Sequence, residues 1–248
     1  MKKLAFAVLL LAAPLPALAA HATKAPAKGS TRGPVSFTIR IENVSTPSTL
    51  RLSNGTTAPA PNSPGAWVVQ AMPGRLFEAG RVQRGWGLES QAEDGDPTML
   101  ASHCMHHEGV LSAGIFNTPK GDEKPGPALP GKSYEFMIMA KPGDRIAFTT
   151  MFGQSNDVFI APDDKGIALF PNGRPLSGDV TAQLSLWDAG TEVNEEPGLG
   201  PNQAPRQAAP NTGPLESKPV MKVSDGFTWP KVSAVVRVTI SPTQSASN

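Results

Sequence analysis

From Val35 to Glu42 apolar and polar residues alternate one for one, with Val35, Phe37, Ile39 and Ile41 set against Ser36, Thr38, Arg40 and Glu42. A period of two puts successive side chains on opposite faces of a strand, so this segment reads as β-structure with one wet face. Further strands are expected at Ala66 to Met72, Ser133 to Ala140, Arg145 to Phe152, Val158 to Ala161, Ile167 to Phe170, Val180 to Trp187 and Val232 to Ile240. Turn formers separate them, among them Lys141-Pro142-Gly143-Asp144 and Pro171-Asn172-Gly173. With 26 prolines and 24 glycines in 248 residues, most connections must be turns and extended loops. The expectation is an all-β chain, an antiparallel β-sandwich with one or two short helices and long loops.

A helix is expected from Pro97 to about Glu108, with Asp96 as N-cap and Pro97 in the first turn. From Leu76 to Ala92 glycines at 80, 85 and 87 interrupt the helical residues, which predicts only short helical turns. Asn194 to Pro219 holds six prolines and three glycines, a long excursion of the kind that is functional or mobile.

Lys2 and Lys3, the apolar run Leu4 to Leu11 and Ala17-Leu18-Ala19 have the form of a secretory signal over residues 1–20. A flexible leader is expected at 21–34, the folded domain at 35–240 with a single hydrophobic core, and a disordered tail at 241–248. No later segment offers about 18 uninterrupted apolar residues, so no membrane span is expected, and the protein is placed in the periplasm or outside the cell. The chain has 22 basic and 21 acidic residues, and without Lys2 and Lys3 the balance is 20 to 21. That balance gives no basic excess for a nucleic acid, and a monomer is expected. Cys104 is the sole cysteine, which rules out an intramolecular disulfide.

Two segments carry candidate chemistry. Leu186-Trp187-Asp188-Ala189-Gly190-Thr191-Glu192 is an apolar run that stops at a turn bearing two carboxylates, and Asn194 and Glu195 follow with further oxygens. Gln154-Ser155-Asn156-Asp157-Val158-Phe159 is a polar turn leading into a strand. Side by side, two such ends would suit Ca²⁺, which takes six to eight oxygen ligands. Taken alone, the same acids also fit turn capping. Asp94-Gly95-Asp96 lacks EF-hand spacing and reads as a turn before a helix. His103 and His107 stand four apart beside Cys104 and His106, which allows zinc or copper and supports an alternative reading as a redox-metal protein or enzyme. No nucleophile elbow, phosphate loop or dinucleotide fingerprint occurs, and the chain is read as a non-enzyme.

Phe37 to Val44, Ser63-Pro64-Gly65, Gly87-Leu88-Glu89, Ala92-Glu93-Asp94-Gly95, Ser155-Asn156-Asp157 and Leu186 to Glu192, in that order, resemble the spondin N-terminal domain of the F-spondin and mindin family. The resemblance covers Val35 to Ile240 and implies a bacterial stand-alone member with a C2-like sandwich. It also implies Ca²⁺ held at one end by Asp157, Asp188 and Glu192, with Trp187 packed beneath. Function would then be recognition or adhesion toward a protein or glycan. Glu192 stands where animal members carry Asp, Val158 replaces an aromatic, and the cysteines and the reelin or thrombospondin modules of animal members are missing from this sequence.

Overall fold

The computed structural model describes residues 33–243. The expected signal segment, all of the leader but Gly33 and Pro34, and residues 244–248 of the expected tail lie outside the described residues. In chain order the strands are β1 (Val35–Asn43), β2 (Leu50–Arg51), β3 (Thr57–Ala58), β4 (Asn62–Gln70) and β5 (Val110–Phe116). Next come β6 (Ser133–Ala140), β7 (Arg145–Phe152), β8 (Val158–Pro162), β9 (Ile167–Ala168) and β10 (Gly178–Asp179). The last three are β11 (Leu184–Asp188), β12 (Met221–Lys222) and β13 (Val236–Thr243). Helices α1 (Leu88–Glu93) and α2 (Thr98–Cys104) lie between β4 and β5.

The architecture is the expected all-β antiparallel sandwich with short helices. One sheet has the order β10-β13-β1-β6 and the other β12-β11-β8-β7-β4-β5, with β9 beside β7. Phe37, Ile39 and Ile41 from β1 and Val236, Val238 and Ile240 from β13 pack against Ile146, Phe148 and Phe152 of β7. These are the alternating residues of the sequence, so their period of two is the period of burial.

A single core was expected, but the described residues form two buried apolar clusters. On the far side of the larger sheet, Leu88 and Ala92 of α1, Leu100 and Cys104 of α2, and Leu76 and Phe77 form a third layer over Val68, Ala147, Phe159 and Trp187. β7 is therefore buried at every position after Arg145 and β8 along its whole length. A strand covered on both faces reads as a continuous apolar run, which is how Val158 to Ala161 stands in the sequence.

Other expectations needed correction. The helix from Pro97 runs only from Thr98 to Cys104, and Asp96 accepts the Thr98 N–H at 2.9 Å. Beyond it the backbone tightens, with His106 N–H donating to His103 O and His107 N–H to Cys104 O. Val232 and Ala234 alternate like strand residues but sit in a 3₁₀ turn, and Thr181 to Gln183 form another. β13 runs to Thr243, past the expected boundary at 240, because Ser241 and Pro242 still face Thr38 and Phe37 of β1. Among the described residues no helix is long and apolar enough to cross a membrane.

Candidate metal centre at the acidic end

The two candidate strand ends lie side by side. Asp188 pairs with Val158 in the β8–β11 register, and the Ala189 N–H donates to Asp157 O at 3.2 Å. Ser155 shapes the β7–β8 turn: its hydroxyl donates to Phe152 O at 2.7 Å and accepts the Val158 N–H at 3.1 Å. That turn delivers Asp157 into the interior with no solvent exposure. Gly190, at φ 71°, makes the opposite turn, where a Cβ would run into Lys218 O.

The excursion after Glu192 folds back over this end as a strap. Glu192 bridges Leu215, the Val193 N–H donates to Pro214 O at 2.8 Å, and the Lys218 N–H donates to Gly190 O at 2.9 Å. Farther along, Arg206 donates to Gln154 Oε1 at 2.9 Å and Gln207 donates to Asp94 Oδ1 at 2.9 Å. This covering is what buries Glu192.

The three expected ligands have different surroundings. Asp157 Oδ2 accepts N–H groups from Thr191 at 2.7 Å and Glu192 at 3.1 Å, and the Thr191 hydroxyl at 3.2 Å. Its Oδ1 is buried with no partner. Glu192 Oε1 accepts the Gly213 N–H at 2.8 Å, and its Oε2 is likewise buried and unpartnered. Asp188 accepts the Gly190 N–H at 2.7 Å and Asn194 Nδ2 at 2.9 Å, so both of its oxygens serve its own turn. Among the nearby oxygens, Asn156 Oδ1 takes the Glu195 N–H at 3.0 Å, and Glu195 is in turn held by Asn202. Asn194 Oδ1 is buried without a partner.

Glu93 joins this set from outside the sequence expectation. It ends α1 at 1% exposure, and neither carboxylate oxygen has a hydrogen-bond partner. The Thr191 hydroxyl lies beside it, but a hydroxyl has one proton, and that proton is directed to Asp157. Leu88, Gln91 and Ala92 mark the apolar face of α1, and Glu93 lies off that face, so the helical period gave no signal of its burial. Glu93 also borders an open cleft of about 180 Å³ lined by Glu89, Ser90, Asp94 and Met99.

Burial holds all four carboxyls above their ordinary range. Asp157 is pushed up to about 7 by desolvation and by the Asp188 charge. Glu93 is pushed up to about 8 by desolvation and by the neighbouring Glu192, Glu89 and Asp157. Desolvation also raises Asp188, and it raises Glu192, which faces Asp94 and Glu195. The nearby guanidinium of Arg84 is committed to Glu89 and to the carbonyls of Thr191 and Glu216.

Among the described residues no three His, Cys, Asp or Glu side chains stand in an array that would hold a metal ion. The donor chemistry nevertheless fits a hard cation: four carboxylate oxygens on Asp157, Glu192 and Glu93 are buried without partners, and the nearby bases are engaged elsewhere, Arg84 with Glu89 and two carbonyls and Lys218 with Glu216. Ca²⁺ also draws on carbonyl, amide and water oxygens, so three carboxylates need not close the shell. Trp187 supports this end as expected, packed against Phe77 at 5.1 Å with its Nε1 donating to Ala161 O at 3.2 Å. The fold and this end together describe an antiparallel β-sandwich with a buried acidic pole. No protein-family model matches the chain, and no curated protein matches it.

Proposed function

We propose that this chain is an exported, spondin-type recognition module that binds Ca²⁺ at its acidic pole and does no catalysis. The observation that carries the reading is the set of four unpartnered, buried carboxylate oxygens on Asp157, Glu192 and Glu93. Burying a carboxylate without a counter-charge or hydrogen bond costs several kcal/mol unless the group takes up a proton. Bound there, the ion would supply positive charge and Lewis acidity toward oxygen. Asp157 and Glu192 would hold it from the two turns and Glu93 from α1, with Asp188 keeping its turn in shape.

The same residues suggest how recognition would work. Glu93 borders the open cleft, so a partner's carboxylate or hydroxyl could approach the pole from there. The ligand class is a protein or glycan that offers such oxygens.

The test is thermal unfolding of chelated protein titrated with Ca²⁺, with Mg²⁺ in parallel. At about 100 times Kd, one site stabilises by about 2.7 kcal/mol, a rise of about 5–10 °C for a domain of this size. Absence of any Ca²⁺ shift in the unmodified protein overturns the proposal.

A further inference from the structure

His103 and His107 make no hydrogen bond to the residues of the acidic pole among the described residues. α2 ends at Cys104, and the tightened turn after it swings His107 back over His103. Their Nε2 atoms meet at 2.7 Å, with ring centroids 4.6 Å apart. Trp86 covers both rings, stacked on His103 at 5.0 Å and 29° and tilted over His107 at 6.0 Å. Both imidazoles are half-buried, and Trp86 is 47% exposed, so the pair is reachable from solvent. His106 is exposed. Cys104 is buried, and its thiol donates to Arg75 O at 3.1 Å.

Two ring nitrogens in contact either share a proton or share a cation. Geometry selects among cations. At a metal–nitrogen distance of about 2.0 Å, two neighbouring corners of a tetragonal site are about 2.8 Å apart, whereas two corners of a tetrahedron are about 3.3 Å apart. The observed 2.7 Å, a hydrogen-bonded contact in the metal-free fold, needs less opening to reach the first than the second. Imidazole donors and the general affinity order also favour copper over zinc.

The geometry points to a copper(II) site in which His103 Nε2 and His107 Nε2 occupy adjacent equatorial positions beneath the Trp86 indole. Water or a partner's donor fills the remaining positions, since no third His, Cys, Asp or Glu joins the pair among the described residues. This site is separate from the calcium reading and does not depend on it.

The experiment is a Cu²⁺ titration of the full chain followed by tryptophan fluorescence. It is run in a His21→Ala background, so that residues 103, 106 and 107 are the remaining histidines. Saturable quenching is expected, at least tenfold weaker in His103→Ala and in His107→Ala and unchanged in His106→Ala. Zn²⁺ should bind at least tenfold more weakly than Cu²⁺, and excess Ca²⁺ should leave the titration unchanged. Electron paramagnetic resonance of the copper-loaded chain should show an axial signal with two imidazole nitrogens, a readout that does not require any variant to fold. Quenching that survives the double His103→Ala/His107→Ala change, competition by Ca²⁺, or a spectrum without imidazole nitrogen overturns the assignment.

Discussion

Asp157 Oδ2 accepts the Thr191 N–H at 2.7 Å, so one carboxylate oxygen fastens the turn after β11 to the turn before β8. The same oxygen takes the Glu192 N–H, whereas Oδ1 has no partner. On the proposed reading, structural and ion-binding duties are divided between the two oxygens of one side chain.

Asp157→Asn separates these duties. The amide keeps one carbonyl oxygen for Thr191 and Glu192 and replaces the other oxygen with a donor that an ion cannot use. We expect the metal-free melting temperature to stay within a few degrees of the parent while the Ca²⁺ shift disappears. Asp157→Ala instead strands two buried N–H groups, at about 1–3 kcal/mol each, and should melt well below the parent with or without Ca²⁺. Differential scanning calorimetry of both variants, chelated and Ca²⁺-loaded, checks this.

Protons should compete with calcium. Asp157 at about 7 and Glu93 at about 8 lie above the 3.8 and 4.5 expected of the unfolded chain. The metal-free fold thus binds protons that the unfolded chain has released, and their stabilising contribution, full below pH about 4, is lost as pH rises through 7 to 8. Ca²⁺ needs the ionised carboxylates, so its affinity runs the other way, and Kd should weaken by about two orders of magnitude from pH 8 to pH 6. Isothermal titration at the two pH values, with buffers of different ionisation enthalpy, reads both the affinity and the protons released.

What the sequence displayed depended on how many faces of each element are covered. β1 shows one buried face and β6 and β7 end at strong turns, so all three stand where alternation and punctuation place them. β5 passed unnoticed because its Ser112-Ala113-Gly114 interior has no apolar rhythm. Gly114 is nevertheless required there, since a Cβ would enter the Trp67 ring. At the acidic pole, Asp157, Asp188 and Glu192 were visible as strand-end acids, but chain order does not say which oxygens the turns consume. Glu93 was obscured because its burial comes from packing α1 against β7 and β8, a contact made across the fold.

Gly213 lies against the Glu192 carboxylate, and a Cβ there would overlap Oε1 and Oε2. Gly213→Ala should displace Glu192 and loosen the strap at that one point. Since the Gly213 N–H bond to Glu192 is a single interaction, metal-free stability should fall by only about 1–2 kcal/mol. Ca²⁺ affinity should fall at least tenfold, about 1.4 kcal/mol or more. An unchanged calorimetric Kd in this variant would remove Glu192 from the site.

Cys104 should be inert in the folded protein. It is 1% exposed in the layer beneath the helices, and burial pushes its thiol up to about 12. Alkylation requires the thiolate and access to it. Iodoacetamide at pH 8 should leave the native chain unlabelled for hours and label it within minutes in denaturant, as followed by intact mass.

Asn43, at the end of β1, uses its whole amide. Nδ2 donates to Ala60 O and Ala128 O, each at 2.8 Å, and Oδ1 accepts the Ser45 N–H at 2.9 Å and the Ser45 hydroxyl at 2.6 Å. The group is 1% exposed and ties together segments 17 and 85 residues away. Asn43→Ala strands the Ser45 N–H and takes one donor from each of two carbonyls that keep another, the Ser45 hydroxyl at Ala60 O and the Asn62 N–H at Ala128 O, and should cost about 2–4 kcal/mol. Asn43→Asp keeps the shape but turns a donor into an acceptor facing two carbonyl oxygens, so at pH 7 it should be at least as damaging. A protonated Asp regains one donor, and its folded pKa must lie above its unfolded value. Relative to the parent, the Asp variant should therefore recover stability as pH falls toward 4, whereas the Ala variant should not. Denaturant unfolding of the three proteins at pH 7 and pH 4.5 separates a hydrogen-bond role for Asn43 from a purely steric one.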